Sequence, residues 1–546
     1  MNSIARCLSF VILVASIAYG AADGTISGTV KDATGAPFKG AFVQAQNVKT
    51  KVTIDVLSDR QGRYRLGNLA SGDYEIRATA IGYKDDVRTS VKVAAEEPAS
   101  SASQEAGTRL LASGKPSLDF TLQKGTVRWS DLSTYQGKQL LPKTKGHDLS
   151  YQDPFFTTCL QSCHSFQKRM ASTAWNEDGW RTRVKYMRDV IMAGEGGGLS
   201  DEKVEDFVSY LTTAFGPNSP KPASPEDMPE YKALVRPFSD EAMKIVYVEY
   251  DFAGSKGLGP WSAVEDKNGM FWIPYYGRGN EVVRLNPNTG ELTRFPLPFQ
   301  KTAGIHSVIP APDGTVWFTE AALGKIGHLN PLTKEITEFQ NSLSNGRPAG
   351  THTVRVDGSG HVWSSGGPAI SLFDPTTKEF THFEVGGTYG NVVGNNGDEW
   401  FTVFRDDGPI VRVTKNGEVS KFYPPTKGKP QRLQVDSDGI VWFSERRGGK
   451  IGRFDPKTES FKEFPLPGPS PSPYAIGIDR DRMIWYASHE QDTLNRLNPK
   501  TGEVTEYPFP HSEISMREFF LDSQGRMWFA SPANNKIGYF IPPSGS

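Results

Sequence analysis

Two cysteines and a histidine give the sharpest chemical signal in the chain: Cys159-Leu-Gln-Ser-Cys163-His164. Paired thiols directly ahead of an imidazole are the arrangement that attaches a c-type haem. The thiols take the vinyl groups, and His164 becomes the proximal iron ligand. Three residues separate these cysteines where two are usual. The competing reading is a local disulfide loop beside an incidental histidine. For the distal iron position the following segment offers Met187, with Met192 as the alternative and Met170 as a third. Met187 also continues the apolar line of Trp180 and Val184 and is equally suited to a core.

A second set of candidates comes from tryptophan spacing. Trp272, Trp317, Trp363, Trp400, Trp442, Trp485 and Trp528 recur at intervals of 37 to 46 residues, the length of one four-stranded propeller blade. Eleven residues before them stand Trp261, His306, His352, Tyr389, Gln431, Tyr474 and Arg517. This slot precedes the innermost strand of each blade. Pseudo-symmetry therefore crowds its side chains at one mouth of the central channel, a ring suited to a small-molecule or carbohydrate ligand. Glu320 and Glu445, three residues after their tryptophans, add carboxylates. His306, Glu320 and His352 are the candidate catalytic or metal-ligating set, provided that they converge. The alternative is a lining of polar groups satisfied by water or backbone.

The composition sets the elements that must position these groups. Among 546 residues, 61 Lys+Arg stand against 62 Asp+Glu, and 37% are hydrophobic. That balance excludes a disordered chain and gives no basis for bulk nucleic-acid binding. With 55 Gly and 38 Pro the chain reads as turn-rich and mainly β. Arg6, the apolar run Leu8 to Ala18 and the small residues Gly20 to Ala22 read as a secretory signal peptide over residues 1–22. The expected location is periplasmic or secreted, with no membrane span.

Residues 23–124 show period-two alternation punctuated by Gly, Asp and Pro, the pattern of a small antiparallel sandwich. The run Gly28-Thr-Val-Lys-Asp32, then Asp59-Arg-Gln-Gly-Arg-Tyr64, Leu69-Ala-Ser-Gly-Asp-Tyr74 and Gly82-Tyr83, resembles the carboxypeptidase regulatory-like domain family. That resemblance implies a carbohydrate-binding-like fold without catalysis. An Ala-, Ser- and Glu-rich insertion is expected over 94–116. Residues 125–146 form a linker before a helical domain at 147–216, and 217–243 is a proline-rich linker. In the helical domain the Cys-His-Ser-Phe run, the line Trp180, Val184 and Met187, and Tyr210 to Pro217 resemble the small single-haem cytochrome c family.

Residues 244–546 form the seven-bladed propeller. The last repeat ends without a fourth strand, so Lys244 to Phe252 is expected to complete it. The repeats Asp313-Gly-Thr-Val-Trp-Phe-Thr-Glu320 and Lys450-Ile-Gly-Arg453 resemble the virginiamycin B lyase (streptogramin lyase) family. In that family the final blade carries a Glu-x-His pair and a second Glu, the His acting as acid/base and the carboxylates holding Mg²⁺. The matching positions here are Ser515, Arg517 and Pro532, and the preceding blade has Tyr474. His306 and Glu320 are the one pair that retains the family's His-to-Glu spacing.

The architecture expected is mainly β: a sandwich, a small cytochrome c-like helical domain and a seven-bladed propeller. The function expected is haem-mediated electron transfer with an unspecified donor or acceptor, the propeller binding the partner or substrate. The alternatives are a non-redox lyase of streptogramin type and a non-catalytic binding protein.

Overall fold

A computed structural model describes residues 24–94, 117–163, 166–191, 199–252, 259–276, 280–298 and 303–543. The signal peptide, the body of the 94–116 insertion, His164 and Met192 lie outside the described residues, as does the side chain of Cys163.

The C-terminal part is a β-propeller of seven antiparallel sheets, the first with its inner strand split at Gly259–Pro260 and Val264–Glu265. Two features of the repeat explain why these residues make blades. The Asp at the start of the Asp-x-x-Gly-x-x-Trp pattern folds the turn and pins the tryptophan. Asp436 Oδ1 accepts from the Asp438 and Ile440 amides, while its Oδ2 accepts from Trp442 Nε1 at 2.9 Å. The same pin recurs from Asp266, Asp357, Asp479 and Asp522 to their blade tryptophans. The glycine of Lys-Ile-Gly makes room for the phenylalanine beside it. A Cβ on Gly452 would meet the Phe443 ring at 2.1 Å, and one on Gly327 would meet Phe318 at the same distance.

Closure of the ring is as the repeat predicts. Strand Val246–Asp251 pairs antiparallel with Lys536–Ile541, in a register from Lys536↔Asp251 to Ile541↔Val246. Its other edge is not left open. Strand Val52–Leu57 of the N-terminal sandwich pairs with it, Val52 opposite Tyr250 and Asp55 opposite Tyr247. One eight-stranded sheet thus runs from the last blade into the sandwich. The sandwich's second sheet holds Gly24–Asp32, Arg63–Leu69, Phe120–Lys124 and the short Tyr83–Lys84, and the two sheets enclose Val30, Val43, Leu66, Ile76 and Leu122.

Between sandwich and propeller lies a helical unit. Ser200 caps helix Asp201–Phe215, accepting from the Lys203 amide, with Asp201 and Glu202 in the positive first turn. Val204, Phe207, Val208 and Leu211 are buried on its inner face. Helix Glu177–Tyr186 buries Trp180 and Val184, but the chain then widens into a π-helical turn, Met187–Ile191. Met187 stands at the junction, its N–H still bonded back to the Arg183 carbonyl, and it is only half-buried. Two more π-helical stretches lie here, Phe156–Cys163, which carries both cysteines of the motif, and Gln167–Ala171 just after it. The segment read as a proline-rich linker packs against this unit, Trp129 Nε1 donating to the Pro222 carbonyl at 2.8 Å and Ser224 Oγ to the Val127 carbonyl. No helix among the described residues is long and apolar enough to cross a membrane.

Candidate functional site at the channel mouth

The innermost strands deliver the slot residues to one place. Trp261 Nε1 donates to His306 Nε2 at 2.8 Å, and the His306 and His352 rings stack with centroids 3.7 Å apart. His352 in turn lies 4.1 Å from the Tyr389 ring, and the Tyr389 and Tyr474 hydroxyls are hydrogen-bonded to each other. Arg517 closes the circuit, its guanidinium 4.7 Å from the Trp261 ring and 5.0 Å from Tyr474. Gln431 is buried, and its backbone carbonyl accepts from Thr402 Oγ1 at 2.7 Å.

The candidate triad His306, Glu320 and His352 does not assemble. Glu320 ends its strand beside Glu338, which Lys325 holds at 2.8 Å, and burial and the Glu338 charge push its carboxyl up to about 8. Glu445 repeats this arrangement against Glu463 and Lys450. The two carboxylates belong to the packing of their own blades. Among the described residues, no group of three His, Cys, Asp or Glu side chains could hold a metal ion.

The two histidines differ in what they can do. His306 has its Nε2 lone pair occupied by the Trp261 indole. His352 Nδ1 sits 3.1 Å from the Tyr389 carbonyl, which can only accept, and 3.0 Å from Thr353 Oγ1; with the Thr353 hydroxyl donating to that same carbonyl, Nδ1 carries the proton and Nε2 keeps its lone pair. Burial, joined by Arg432 and Arg517, holds both imidazoles neutral, well below the usual histidine range.

A second ring completes the mouth, four residues after the blade tryptophans: Tyr276, Phe404, Arg446 and His489. Tyr276 packs on Trp261 and His306, and Phe404 on Tyr389. His489 stacks on Tyr474 at 4.4 Å, its Nε2 donating to the Met516 carbonyl at 3.0 Å. This slot recurs from blade to blade as regularly as the slot eleven residues before the tryptophans, so these residues are legible in the sequence. Arg432, one residue after Gln431, also points into the channel. Its Nη1 donates to Glu518 Oε1 at 2.6 Å, and Arg355 reaches the same oxygen at 3.4 Å. These three side chains line a small polar cavity together with Asn391, Gln434 and Phe519.

The helical unit presses on the loop that carries His489. Tyr135 donates its amide to the Glu490 carbonyl at 2.7 Å, and Tyr151 and Lys138 reach the Glu490 carboxylate at 2.7 and 3.2 Å. Gln167 Nε2 donates to Asp492 Oδ2 at 2.7 Å. Of the haem candidates, Cys159 packs against the helical core and Met170 is buried within it, so Met170 belongs to the packing. In the same core Trp180 Nε1 is buried with no acceptor among the described residues.

This architecture defines a propeller with a cluster of aromatic and cationic side chains at one end of its ring of blades. The sequence profile of the virginiamycin B lyase family matches residues 376–545, and that of the carboxypeptidase regulatory-like domain matches 25–103. A virginiamycin B lyase from Nocardia farcinica is 27% identical over 223 residues, 40% of this chain and 74% of that relative. A solved streptogramin B lyase shares 23% identity and a TM-score of 0.50, covering 55% of this chain and 99% of its own. A virginiamycin B lyase structure from Staphylococcus aureus has 24% identity, the same coverages and a TM-score of 0.49. The C-terminal part is therefore lyase-like in fold.

Proposed function

We propose that the protein binds a small organic molecule at the channel mouth, on the scaffold that streptogramin lyases use, with His352 as the group able to take up a proton. The observation that carries this reading is the convergence of the slot residues, with the His352 Nε2 lone pair unoccupied. The Mg²⁺ chemistry of those lyases does not fit. Ser515, Arg517 and Pro532 stand where its acid/base and carboxylates would be, and the Arg517 guanidinium repels a cation. The test is a thermal-shift screen of the full chain against cyclic esters, oligosaccharides and aromatic acids. Stabilisation by a compound, lost in Trp261→Ala and His352→Ala, is expected; stabilisation that both variants retain would place the ligand elsewhere. Export to the periplasm or beyond belongs to the same proposal.

A second reading keeps the helical unit as a c-type haem carrier, with Cys159 and Cys163 as thioether sites, His164 as proximal ligand and Met187 or Met192 as distal ligand. Its support is the motif itself and the buried Trp180 indole N–H, which a carboxylate-bearing group would satisfy. Haem would supply one-electron chemistry to a ligand in the adjoining mouth. Expression with a c-type maturation system, followed by a haem-stained denaturing gel, tests it: a colourless band would end this reading and leave the first untouched.

A further inference from the structure

Three guanidiniums converge on one phenol at the mouth, and neither reading above gives them a task. The Arg517, Arg446 and Arg432 guanidinium carbons stand 5.0, 5.1 and 5.9 Å from the centroid of the Tyr474 ring. All three arginines are more than nine-tenths buried. Arg432 gives Nη1 to Glu518 and Thr353, yet its Nε and Nη2 are buried without a hydrogen-bond partner among the described residues. Idle donors on a buried guanidinium are costly, and an arriving acceptor recovers that cost.

The surroundings point to the same charge. Burial raises the Tyr474 phenol, but Arg517, Arg432 and Arg446 together outweigh it and bring it below the usual tyrosine range. Lys429 adds a further cation, its Nζ 4.2 Å from the Phe404 ring. Burial, with Arg447 and Arg446 close by, pushes its ammonium down to about 8. Glu518 pairs with Arg432 and Glu490 lies near Arg446, but the cations outnumber these carboxylates, and such a potential favours anions. The other wall is flat and unsaturated: Tyr276, His352, Tyr389 and Phe404 are all partly exposed.

We infer that the mouth takes a ring-bearing carboxylate, its anionic end among Arg432, Arg446 and Arg517 and its ring against Tyr389 and Phe404. The inference rests on the mouth being a ligand site and adds the chemical class of the ligand. Guanidinium is the side chain whose planar fork matches carboxylate geometry. The aromatic wall supplies the stacking that a ring requires.

Isothermal titration of the full chain at low ionic strength, with benzoate, benzamide and acetate as probes, tests this. Benzoate should bind, and benzamide, nearly isosteric but neutral, should bind at least about tenfold more weakly, the worth of a charge-assisted hydrogen bond. Acetate should also be weaker, having no ring to stack. Arg517→Gln should cost benzoate about tenfold, and cost benzamide markedly less because no charge pairing is lost. Arg446→Gln is the companion variant should the first fail to fold by circular dichroism. Benzamide binding as tightly as benzoate would overturn the charge assignment while leaving the mouth a ligand site. Benzoate binding that survives both substitutions would move the carboxylate elsewhere and overturn the inference. No benzoate binding by folded protein would do the same, and the compound screen then decides the broader reading separately.

Discussion

At the scale of single residues, the mouth shows how one hydrogen bond decides what a histidine can do. His306 and His352 stack on each other, yet the Trp261 indole consumes the lone pair of one while the Tyr389 carbonyl frees that of the other. Retained spacing between His306 and Glu320 made them look like a pair, but the carboxylate turns to Glu338. The arginine at 517, where the lyase resemblance places the acid/base histidine, cannot act as that base, because guanidinium stays protonated throughout the accessible pH range. Magnesium-dependent linearisation of a streptogramin should therefore be absent, with no turnover approaching the roughly 1–1000 per second typical of enzymes. An assay that followed ring opening and found such a rate would refute this. His352→Ala would then be the variant to compare with His306→Ala, and loss confined to the latter would reverse the assignment made from the hydrogen bonds.

At the scale of elements, the blade is legible in sequence because each of its signatures has one physical cause. The Asp pins the tryptophan, and the glycine of Lys-Ile-Gly accommodates the neighbouring phenylalanine. Gly452→Ala should destabilise the protein by about 1–3 kcal/mol through overpacking, measurable by denaturant unfolding. An unchanged midpoint would mean that Phe443 can move aside. The second-strand carboxylates give a pH signature. Glu445 ionises near the ordinary carboxylate value when unfolded but near 8 when folded, so the native state holds the extra proton between those limits. Stability from this group is full below pH 4.5, falls as pH rises toward 8 and stays low above it. Glu445→Gln should flatten that fall and gain on the order of 2 kcal/mol at pH 9. A variant no more stable than the parent at pH 9 would show that the carboxyl is solvated. What the sequence concealed were features without a repeat. The α-helix gives way to a π-helical turn at Met187, and nothing in the apolar spacing announces an extra residue in the turn. Arg432 reaches the mouth from the position next to Gln431, and only the geometry of the strand end brings it there.

At the scale of the whole molecule, one strand holds two domains and the ring together. Val246–Asp251 is hydrogen-bonded on one edge to the last blade and on the other to the sandwich. Its Glu249 is fully buried at that seam with His511 Nε2 at 2.6 Å from the carboxylate, and Asp55 from the sandwich lies buried beside it. Burial and the Glu249 charge push the Asp55 carboxyl up to about 7, so Asp55 holds its proton more readily than an ordinary carboxyl at this seam. Removing residues 23–124 opens one edge of this strand and releases Asp55, but it leaves the last blade four strands wide. Removing 244–252 leaves that blade with three strands, breaks the ring and takes away the contacts of the buried Tyr247 and Tyr250. A propeller's stability depends on every blade having two neighbours, so the two deletions are not equivalent. Loss of 244–252 should lower the propeller's melting temperature by on the order of 10 °C or more, whereas loss of 23–124 should cost markedly less. Calorimetry of the two truncated chains, with protease resistance of the residue 303–543 region as the second readout, compares them directly. Equal melting after the two deletions would mean that the ring closes without this strand, and that the continuous sheet serves only to carry the sandwich.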